Sequence, residues 1–383
     1  MIGDYTNIMK NCYNEVWQSF ANSIRNENLN INASHNKFQH IVSLVEKAHE
    51  ETIYPCCVLV IAHHGIVDFA LPIGSYKLTN EKSYPIALDS IFDLASLTKV
   101  VATWFAIGWL EKQGLLDLHM SIAKVFPEIE SPFSKDITIE MLMTYLSGLS
   151  KETRLDKYNT KSRDQILKHI LGESLENPVN SKVIYSNRNL ILLGEVVSRL
   201  AKLPFEDVVN DLWDRNGMHD TYFNPPASVL NRVVSTEFNP SHNHFTHGVV
   251  HDENAQVLGG VAGHAGAFST AKDLLLLASM ALSGGRSWFG EELLHSEYVT
   301  SSFRNSTKEF GVSRGLIWDL GVYGSAAELT PLHHGFSGTS LLLSPKKNLV
   351  IIFLTNAVQI SRDKSRLEEF RRNLYQQIFQ VYE

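Results

Sequence analysis

The sequence is poor in cysteine, and its cysteines are not spaced like a disulfide framework. Cys12 stands alone, while Cys56 and Cys57 are adjacent in an apolar, strand-like stretch. Small secreted proteins held by disulfides carry many cysteines at regular spacings. We therefore interpret Cys56 and Cys57 as small buried hydrophobic residues, which fits a reducing compartment.

Clustered positive charge is also missing. The formal net charge is −7 at pH 7, and no run of lysine or arginine would form a basic patch. Proteins that bind nucleic acids through phosphate contacts usually carry such a patch. We therefore expect a small molecule as the partner rather than a nucleic acid.

Long hydrophobic segments are absent as well. The longest apolar run, residues 100–110, is too short to cross a bilayer and lies between Lys99 and Glu111. The opening residues MIGDYTNIMK lack the basic and apolar regions of a secretory signal. These features predict a cytoplasmic protein that does not engage a membrane.

Strand-like patterns lie towards both ends of the chain. Residues 54–76, YPCCVLVIAHHGIVDFALPIGSY, and residues 339–357, TSLLLSPKKNLVIIFLTNA, each predict a hairpin, with turns at His63-His64-Gly65 and Ser344-Pro345. Amphipathic helices are predicted before the first hairpin and after the second. Helical periodicity dominates the region between about residues 96 and 300.

These patterns predict an α/β (α+β) fold in which a mainly antiparallel sheet is flanked by terminal helices and joined to a helical region. The predicted domains are an N-terminal helical extension, residues 1–35, a sheet domain, residues 36–95 and 297–383, and a mainly helical domain, residues 96–296. We expect an active site at the junction of the last two, because clefts commonly form between domains.

A hydroxyl and an amine stand three residues apart at the start of the apolar run, at Ser96 and Lys99. The S-x-x-K pattern occurs six times in the chain, and a serine at a helix start is most often a cap. The segment after Lys99 is apolar on nearly all sides, which indicates a buried helix. Burial favours the neutral, basic form of an amine, and a hydroxyl beside such an amine is an activated nucleophile.

Two further motifs follow in order. The first is Tyr185-Ser186-Asn187, and Y-x-N triplets also occur at Tyr5 and Tyr222. The second is His333-His334-Gly335, at the entry to a predicted strand, where the glycine could simply permit a close backbone approach. Each motif is weak alone.

In this order, and with the surrounding residues, the motifs resemble the serine β-lactamase and penicillin-binding-protein superfamily, and its class C β-lactamase-like hydrolases in particular. FDLASLTKVVATWFAIGWLEKQG resembles the nucleophile helix of that family, and ITIEMLMTYLSGLS and AGAFSTAKDLLLLASMALSGG resemble later segments. The resemblance covers roughly residues 37–380. It implies the β-lactamase/DD-peptidase fold and a reaction through an acyl-enzyme, with neither metal nor organic cofactor.

The resemblance also implies roles for individual residues. Ser96 would be the nucleophile, Lys99 would help to deprotonate it, and Tyr185 would act as general base or proton shuttle. Asn187 would donate to the amide carbonyl of the substrate. The backbone N–H groups of Ser96 and Phe336 would form the oxyanion hole.

The third motif departs from the family pattern. The family usually has Lys, then Thr or Ser, then Gly, where this chain has His333, His334 and Gly335, all expected at the substrate. A histidine is mostly neutral near pH 7, whereas lysine supplies a permanent charge for a substrate carboxylate. This change argues against β-lactam hydrolysis and fits esterase-like and amidase-like relatives. Tyr145 also stands where the family commonly has His.

Residues 247–266, HGVVHDENAQVLGGVAGHAG, resemble a loop in the branch linked to peptidoglycan turnover, which includes muramyl-peptide amidases. His251 would then lie near the substrate. A zinc site is conceivable from His247, His251 and His264, but glycines interrupt any helix that would pair them, so we predict no metal.

The sequence leaves several functions open. An amidase acting on muramyl peptides, in peptidoglycan recycling, is the expected function. A broad carboxylesterase, a β-lactamase or DD-peptidase, and a non-catalytic binding protein on the same scaffold are the alternatives. The same residues would serve amide and ester hydrolysis, and the oligomeric state stays open.

Overall fold

In the computed structural model, residues 32–129, 131, 133–160, 162–324 and 329–383 are described, with side chains from residue 37 onward. The predicted N-terminal extension up to residue 31, with Cys12, lies outside the described residues. The strands are β1 (Cys56–His63), β2 (Ile66–Lys77), β3 (Ser83–Pro85), β4 (Phe92–Asp93), β5 (Tyr222–Phe223), β6 (Phe238–Asn239), β7 (His244–Phe245), β8 (Ala267–Ser269), β9 (Asp319–Val322), β10 (Leu329–His334), β11 (Ser340–Ser344) and β12 (Leu349–Thr355).

The helices follow the amphipathic and apolar stretches of the sequence. They are α1 (Asn32–Glu50), α2 (Phe105–Lys112), α3 (Ile122–Val125), α4 (Ile139–Met143), α5 (Arg163–Gly172), α6 (Asn187–Ala201), α7 (Phe205–Arg215), α8 (Glu253–Val257), α9 (Ala271–Leu282), α10 (Ser296–Ser302) and α11 (Ser365–Val381). None of these helices is both long enough and apolar enough to span a bilayer.

Seven of the strands form one sheet in the order β3-β2-β1-β12-β11-β10-β9, with every neighbouring pair antiparallel. The predicted hairpins are confirmed. His64 and Gly65 both have positive φ, at 50° and 76°, which matches a two-residue turn that follows the twist of its strands. The strands from the two ends of the chain meet where β1 pairs with β12.

The central strands β1, β11 and β12 are buried on both faces, which explains their continuous apolar sequences. In β1, Val58 and Val60 pack towards the helical region, together with α9. Leu59 and Ile61 point to the opposite face, which α1 and α11 cover. Alternate residues of a strand point to opposite sides, so one run of sequence contributes to two cores. The predicted mainly antiparallel sheet, flanked by terminal helices and joined to a helical region, is confirmed.

A second, small sheet was not predicted from the sequence. It has the order β4-β8-β5, and its strands are two or three residues long. It pairs Phe92 and Asp93, just before Ser96, with Ser269 and Phe268, just after the glycine-rich segment 247–266. The small sheet therefore brings that segment to the nucleophile. The domain boundaries near residues 95/96 and 296/297 remain a prediction.

Candidate active site

Ser96 and Lys99 meet at the start of the buried helical run. Ser96 lies in a 3₁₀ turn, Ala95–Leu97, and Lys99 begins a π-helical segment, Lys99–Trp104, that continues into α2. The sequence predicted an ordinary helix here, and π-helical turns occur frequently at functional sites. The Lys99 side chain is fully buried, and its Nζ lies 2.7 Å from Ser96 Oγ.

The turn that presents Ser96 is strained and tied down. Ala95 has a φ of +46°, a conformation that residues other than glycine rarely adopt. The buried Asp93 side chain accepts hydrogen bonds from the backbone N–H groups of Ala95, at 2.8 Å, and His251, at 2.7 Å. Burial raises the pKa of Asp93, while these two donors oppose the shift. Asp93 therefore links the 3₁₀ turn that carries Ser96, Ala95–Leu97, to the segment 247–266; we call this turn the nucleophile turn.

Tyr185 and Asn187 lie at the start of α6. Ser186 caps this helix by accepting a hydrogen bond from the Arg188 N–H, and its hydroxyl donates to the Ser150 carbonyl at 2.6 Å. Lys99 Nζ lies 5.0 Å from the centre of the Tyr185 ring. Asn187 Oδ1 is buried and has no partner among the described residues. The structure thus brings the second motif to the amine of the first.

The two histidines of the third motif end β10. His333 is buried, and desolvation, together with the charges of Lys99 and Arg314, holds its pKa well below the usual range. Desolvation and the charge of Arg371 lower the pKa of His334 in the same way. The ring centres of His333 and Tyr185 are 6.5 Å apart. Both histidines are therefore neutral at neutral pH, so they supply no fixed positive charge.

The loop after these histidines is fastened to the nucleophile turn. Ser337 Oγ donates to the Asp93 carbonyl at 2.8 Å, and Thr339 Oγ1 donates to the Leu94 carbonyl at 3.0 Å. A Cβ on Gly335 would lie 2.3 Å from the Leu94 carbonyl oxygen, so only glycine permits this approach. The neighbouring Phe336 side chain is 44% exposed. Its backbone N–H has no hydrogen-bond partner in the described part of the chain.

His251 reaches the site through its contact with Phe336. The two rings stack with centres 5.8 Å apart and an interplanar angle of 21°. His251 Nε2 also lies 2.9 Å from Glu237 Oε2. The hydrogen bond from Arg362, followed by that from His251, lowers the pKa of Glu237 to about 2. Glu253 also binds Arg362, at 2.8 Å, so this network covers one side of Phe336.

The segment 247–266 also contacts Lys99, through the backbone of His264. The carbonyl oxygen of His264 accepts a hydrogen bond from Lys99 Nζ at 3.1 Å. The His264 ring is buried, and its Nε2 lies 2.9 Å from Asp252 Oδ1. Burial alone would raise the pKa of Asp252, but the His264 ring, a backbone N–H and the Lys99 charge together hold it well below the usual range. Asn254 accepts from the Leu155 N–H at 2.9 Å and so has a structural contact.

Three residues of the site lie outside the three sequence motifs. Tyr145 stacks on Tyr185 with ring centres 5.0 Å apart. Arg314 Cζ lies 4.8 Å from the Tyr145 ring centre and 5.3 Å from that of Tyr185. Asp319 binds Arg314 at 2.6 Å. Tyr145 was visible as a departure from the family pattern, whereas nothing in GVSRGLIWDLGVYG indicates that Arg314 and Asp319 reach the site.

Within the described ranges, no group of three or more His, Cys, Asp or Glu side chains could hold a metal ion. His264 is bound to Asp252, as above. His247 Nε2 lies 3.0 Å from the carbonyl oxygens of both Leu230 and Val233. The conceivable zinc ligands thus have other partners.

Comparisons with known proteins identify the family of the chain. The family model described as Beta-lactamase matches residues 41–376. A protein of Escherichia coli (strain K12) described as a putative D-alanyl-D-alanine carboxypeptidase is 29% identical over 343 residues, which cover 79% of this chain and 78% of that protein.

Solved structures show the same fold. The beta-lactamase/D-alanine carboxypeptidase from Pseudomonas syringae has a TM-score of 0.72 at 17% identity, over 90% of this chain and 99% of its own. EstCE1, described as a hydrolase with promiscuous acyltransferase activity, has a TM-score of 0.70 at 17% identity, over 91% of this chain and 99% of its own. The resemblance to the serine β-lactamase and penicillin-binding-protein superfamily is confirmed: the chain belongs to the beta-lactamase family and is a serine hydrolase.

Proposed function

We propose that this enzyme is an amidase that cleaves muramyl peptides through an acyl-enzyme on Ser96. The observation that carries the proposal is the 2.7 Å contact between Lys99 Nζ and Ser96 Oγ. The amine is fully buried beneath the Tyr185 ring. A hydroxyl held against such a pair of groups is the arrangement expected of an activated nucleophile.

Acylation would begin with attack of Ser96 on the carbonyl carbon of the substrate amide. Ser96 Oγ bonds to the carbonyl carbon while its proton passes to the Lys99–Tyr185 pair. The carbonyl oxygen becomes an oxyanion, which accepts hydrogen bonds from the backbone N–H groups of Ser96 and Phe336. The C–N bond then breaks, and the leaving amine takes the proton. Water cleaves the acyl ester by the reverse sequence and regenerates Ser96.

The neutral third motif supports an amide inside the substrate rather than one beside a terminal carboxylate. His333 and His334 stand where the family usually has the sequence Lys-Thr or Lys-Ser. Their pKa values lie well below the usual range because both are desolvated. A permanent cation that would hold a substrate carboxylate is therefore missing at this motif. The amide between the lactyl group and alanine in a muramyl peptide does not require one.

A second candidate is a D-alanyl-D-alanine carboxypeptidase. The Escherichia coli relative carries that description at 29% identity. Such an enzyme would remove a terminal D-alanine, and its substrate would present a carboxylate next to the cleaved bond. The two candidates share the Ser96 chemistry and differ in which amide enters the site.

One substrate separates the two candidates. N-acetylmuramyl pentapeptide ending in D-alanyl-D-alanine contains both amides. Mass spectrometry of the products distinguishes free pentapeptide, expected from the amidase, from free D-alanine, expected from the carboxypeptidase. Ser96→Ala is the matched variant and should release neither product, since it lacks the nucleophile but keeps the binding surface.

The remaining outcomes are also informative. The wild type could hydrolyse an aryl ester but release neither peptide product. If Ser96→Ala then loses the ester hydrolysis, the enzyme is a carboxylesterase. Absence of any turnover by the wild type would leave a non-catalytic binding protein. Equal cleavage by wild type and Ser96→Ala would eliminate Ser96 as the nucleophile.

The cellular site of the reaction remains a prediction. We propose that the enzyme acts in the cytoplasm on wall fragments during peptidoglycan recycling. Fractionation of the native host, followed by immunodetection of the protein, tests the location. Recovery outside the cytoplasmic fraction would contradict it.

A further inference from the structure

Arg314 places a second cation beside Tyr185. Its Cζ lies 5.3 Å from the centre of the Tyr185 ring, close to the 5.0 Å that separates Lys99 Nζ from the same ring. Arg314 Nη1 is buried and has no hydrogen-bond partner among the described residues. Cation–π contacts with Tyr145 and Tyr185 take the place of such a partner.

The backbone that presents Arg314 is held rigidly. The Arg314 N–H donates to Thr307 Oγ1 at 3.0 Å, and a Cβ on Gly315 would lie 1.9 Å from the Ser302 carbonyl oxygen. Ile317, in the same turn, has a φ of +72°, and its N–H donates to the Met143 carbonyl at 2.8 Å. A β-branched residue at such an angle is a true outlier.

The same kind of strain occurs in the facing segment. Tyr145 has a φ of +62° and lies two residues after Met143, which accepts the Ile317 hydrogen bond. Strained residues persist only where the surrounding structure holds them, and they cluster at functional sites. The two strained segments here are those that bring Arg314 and Tyr145 together.

The third motif explains why a further cation is needed. Tyr185 contacts Lys99, Tyr145, Arg314 and His333. Of these, His333 is neutral and Tyr145 is buried, so Arg314 is the neighbour that carries a permanent positive charge. Arginine stays charged at every pH that the enzyme meets.

Resting on the proposed role of Tyr185 as proton carrier, we propose that Arg314 supplies Tyr185 with the permanent positive charge that His333 lacks. Arg314 is thereby a positioning residue that acts through Tyr185. The proton that Ser96 releases reaches an oxygen whose negative charge Arg314 stabilises. No bond to Arg314 forms or breaks.

Asp319 weakens this charge without cancelling it. It binds Arg314 Nη2 at 2.6 Å. Burial raises the pKa of Tyr145 well above its usual range, and among the nearby charges Arg314 opposes this shift more strongly than Asp319 reinforces it. The Arg314–Asp319 pair therefore acts on Tyr145 as a net positive charge, and the Tyr185 ring stacks on Tyr145 with ring centres 5.0 Å apart.

Two variants with opposite effects test the proposal. Arg314→Met keeps the length of the side chain and removes the charge. It should move the acid limb of the kcat/KM–pH profile for an aryl ester upward by about one pH unit and lower kcat/KM at neutral pH by about tenfold. Asp319→Asn keeps an acceptor for Arg314 and should move the same limb downward. Arg314→Lys should restore most of the wild-type profile.

The controls separate this proposal from the proposed function. Arg304→Met removes an exposed arginine and should leave the profile unchanged. Circular dichroism and thermal unfolding establish that each variant is folded. The proposal would be overturned if the acid limb of the kcat/KM–pH profile did not move in folded Arg314→Met. It would also be overturned if the limb moved equally, in the same direction, in Arg314→Met and Asp319→Asn. If Ser96→Ala retains the activity, the proposed function itself fails, and the role of Arg314 fails with it.

Discussion

The Nζ atom of Lys99 lies 2.7 Å from Ser96 Oγ and 3.1 Å from the carbonyl oxygen of His264. One buried amine thus joins the nucleophile turn to a segment more than 160 residues away in the chain. Because the amine has both partners, its position does not depend on substrate. The site is therefore organised before a ligand arrives, which is the condition for efficient electrostatic catalysis.

Replacing Lys99 by methionine should abolish most of the activity. The variant keeps an unbranched side chain in the buried position but cannot contact Ser96 through an amine, so kcat/KM should fall by about 10²–10⁴-fold. Steady-state kinetics on an aryl ester measure this. Lys124→Met, at an exposed lysine, is the matched control and should behave as wild type. A Lys99→Met enzyme with normal kinetics would remove Lys99 from the mechanism.

Adding a methyl group at Gly335 should disable the site. The new Cβ would lie 2.1 Å from Thr339 Oγ1 and 2.3 Å from the Leu94 carbonyl oxygen, so the loop carrying Phe336 must move away from the nucleophile turn. We expect kcat to fall by about 10²-fold or more, as on loss of an oxyanion donor. Gly172→Ala is the control, since its Cβ would meet no atom within 4 Å. Equal activities of the two variants would contradict the predicted role of this loop.

Tyr145 should tolerate loss of its hydroxyl but not of its ring. The hydroxyl is buried without a partner among the described residues. The free energy of unfolding of Tyr145→Phe should therefore equal or exceed that of wild type. Tyr145→Ala removes the ring that packs on Tyr185 and should cost about 3–5 kcal/mol. Urea unfolding of both variants measures these values. A strongly destabilised Tyr145→Phe would show that the hydroxyl has a partner after all.

Asp273 should make stability depend on pH near neutrality. Desolvation raises the pKa of this buried carboxyl to about 7, although Thr221 and the Asp220 N–H donate to it. The folded protein then holds more protons than the unfolded chain between about pH 4 and about pH 7, so stability falls as pH rises through this window.

Asp273→Asn removes this titration. Relative to wild type, its free energy of unfolding should increase as pH rises through the window, by at most about 4 kcal/mol in total. Urea unfolding at several pH values checks the slope, and Asp207→Asn, at an exposed acid, should track wild type. A difference between Asp273→Asn and wild type that does not change with pH would contradict the prediction.

The sequence predicted the parts of the fold that depend on local burial. Alternating and continuous apolar runs identified the hairpins β1–β2 and β11–β12, because a strand buried on both faces must be apolar throughout. The two-residue strands β4 and β5 are too short to carry such a pattern. Their pairing with β8, which places the segment 247–266 beside Ser96, depends on contacts between distant parts of the chain.

The family and the order of its motifs, from Ser96 and Lys99 through Tyr185 to His333, could be read from the amino-acid sequence. This was possible because three motifs, each weak alone, follow in the order of the family within similar surrounding segments, and because residues three apart on a helix share a face. Only the folded chain reveals that Tyr145 and Arg314 contact Tyr185, that Asp319 binds Arg314, and that the His264 carbonyl accepts a hydrogen bond from Lys99. These contacts join segments with no common pattern, because desolvation and charge act through space and not along the chain.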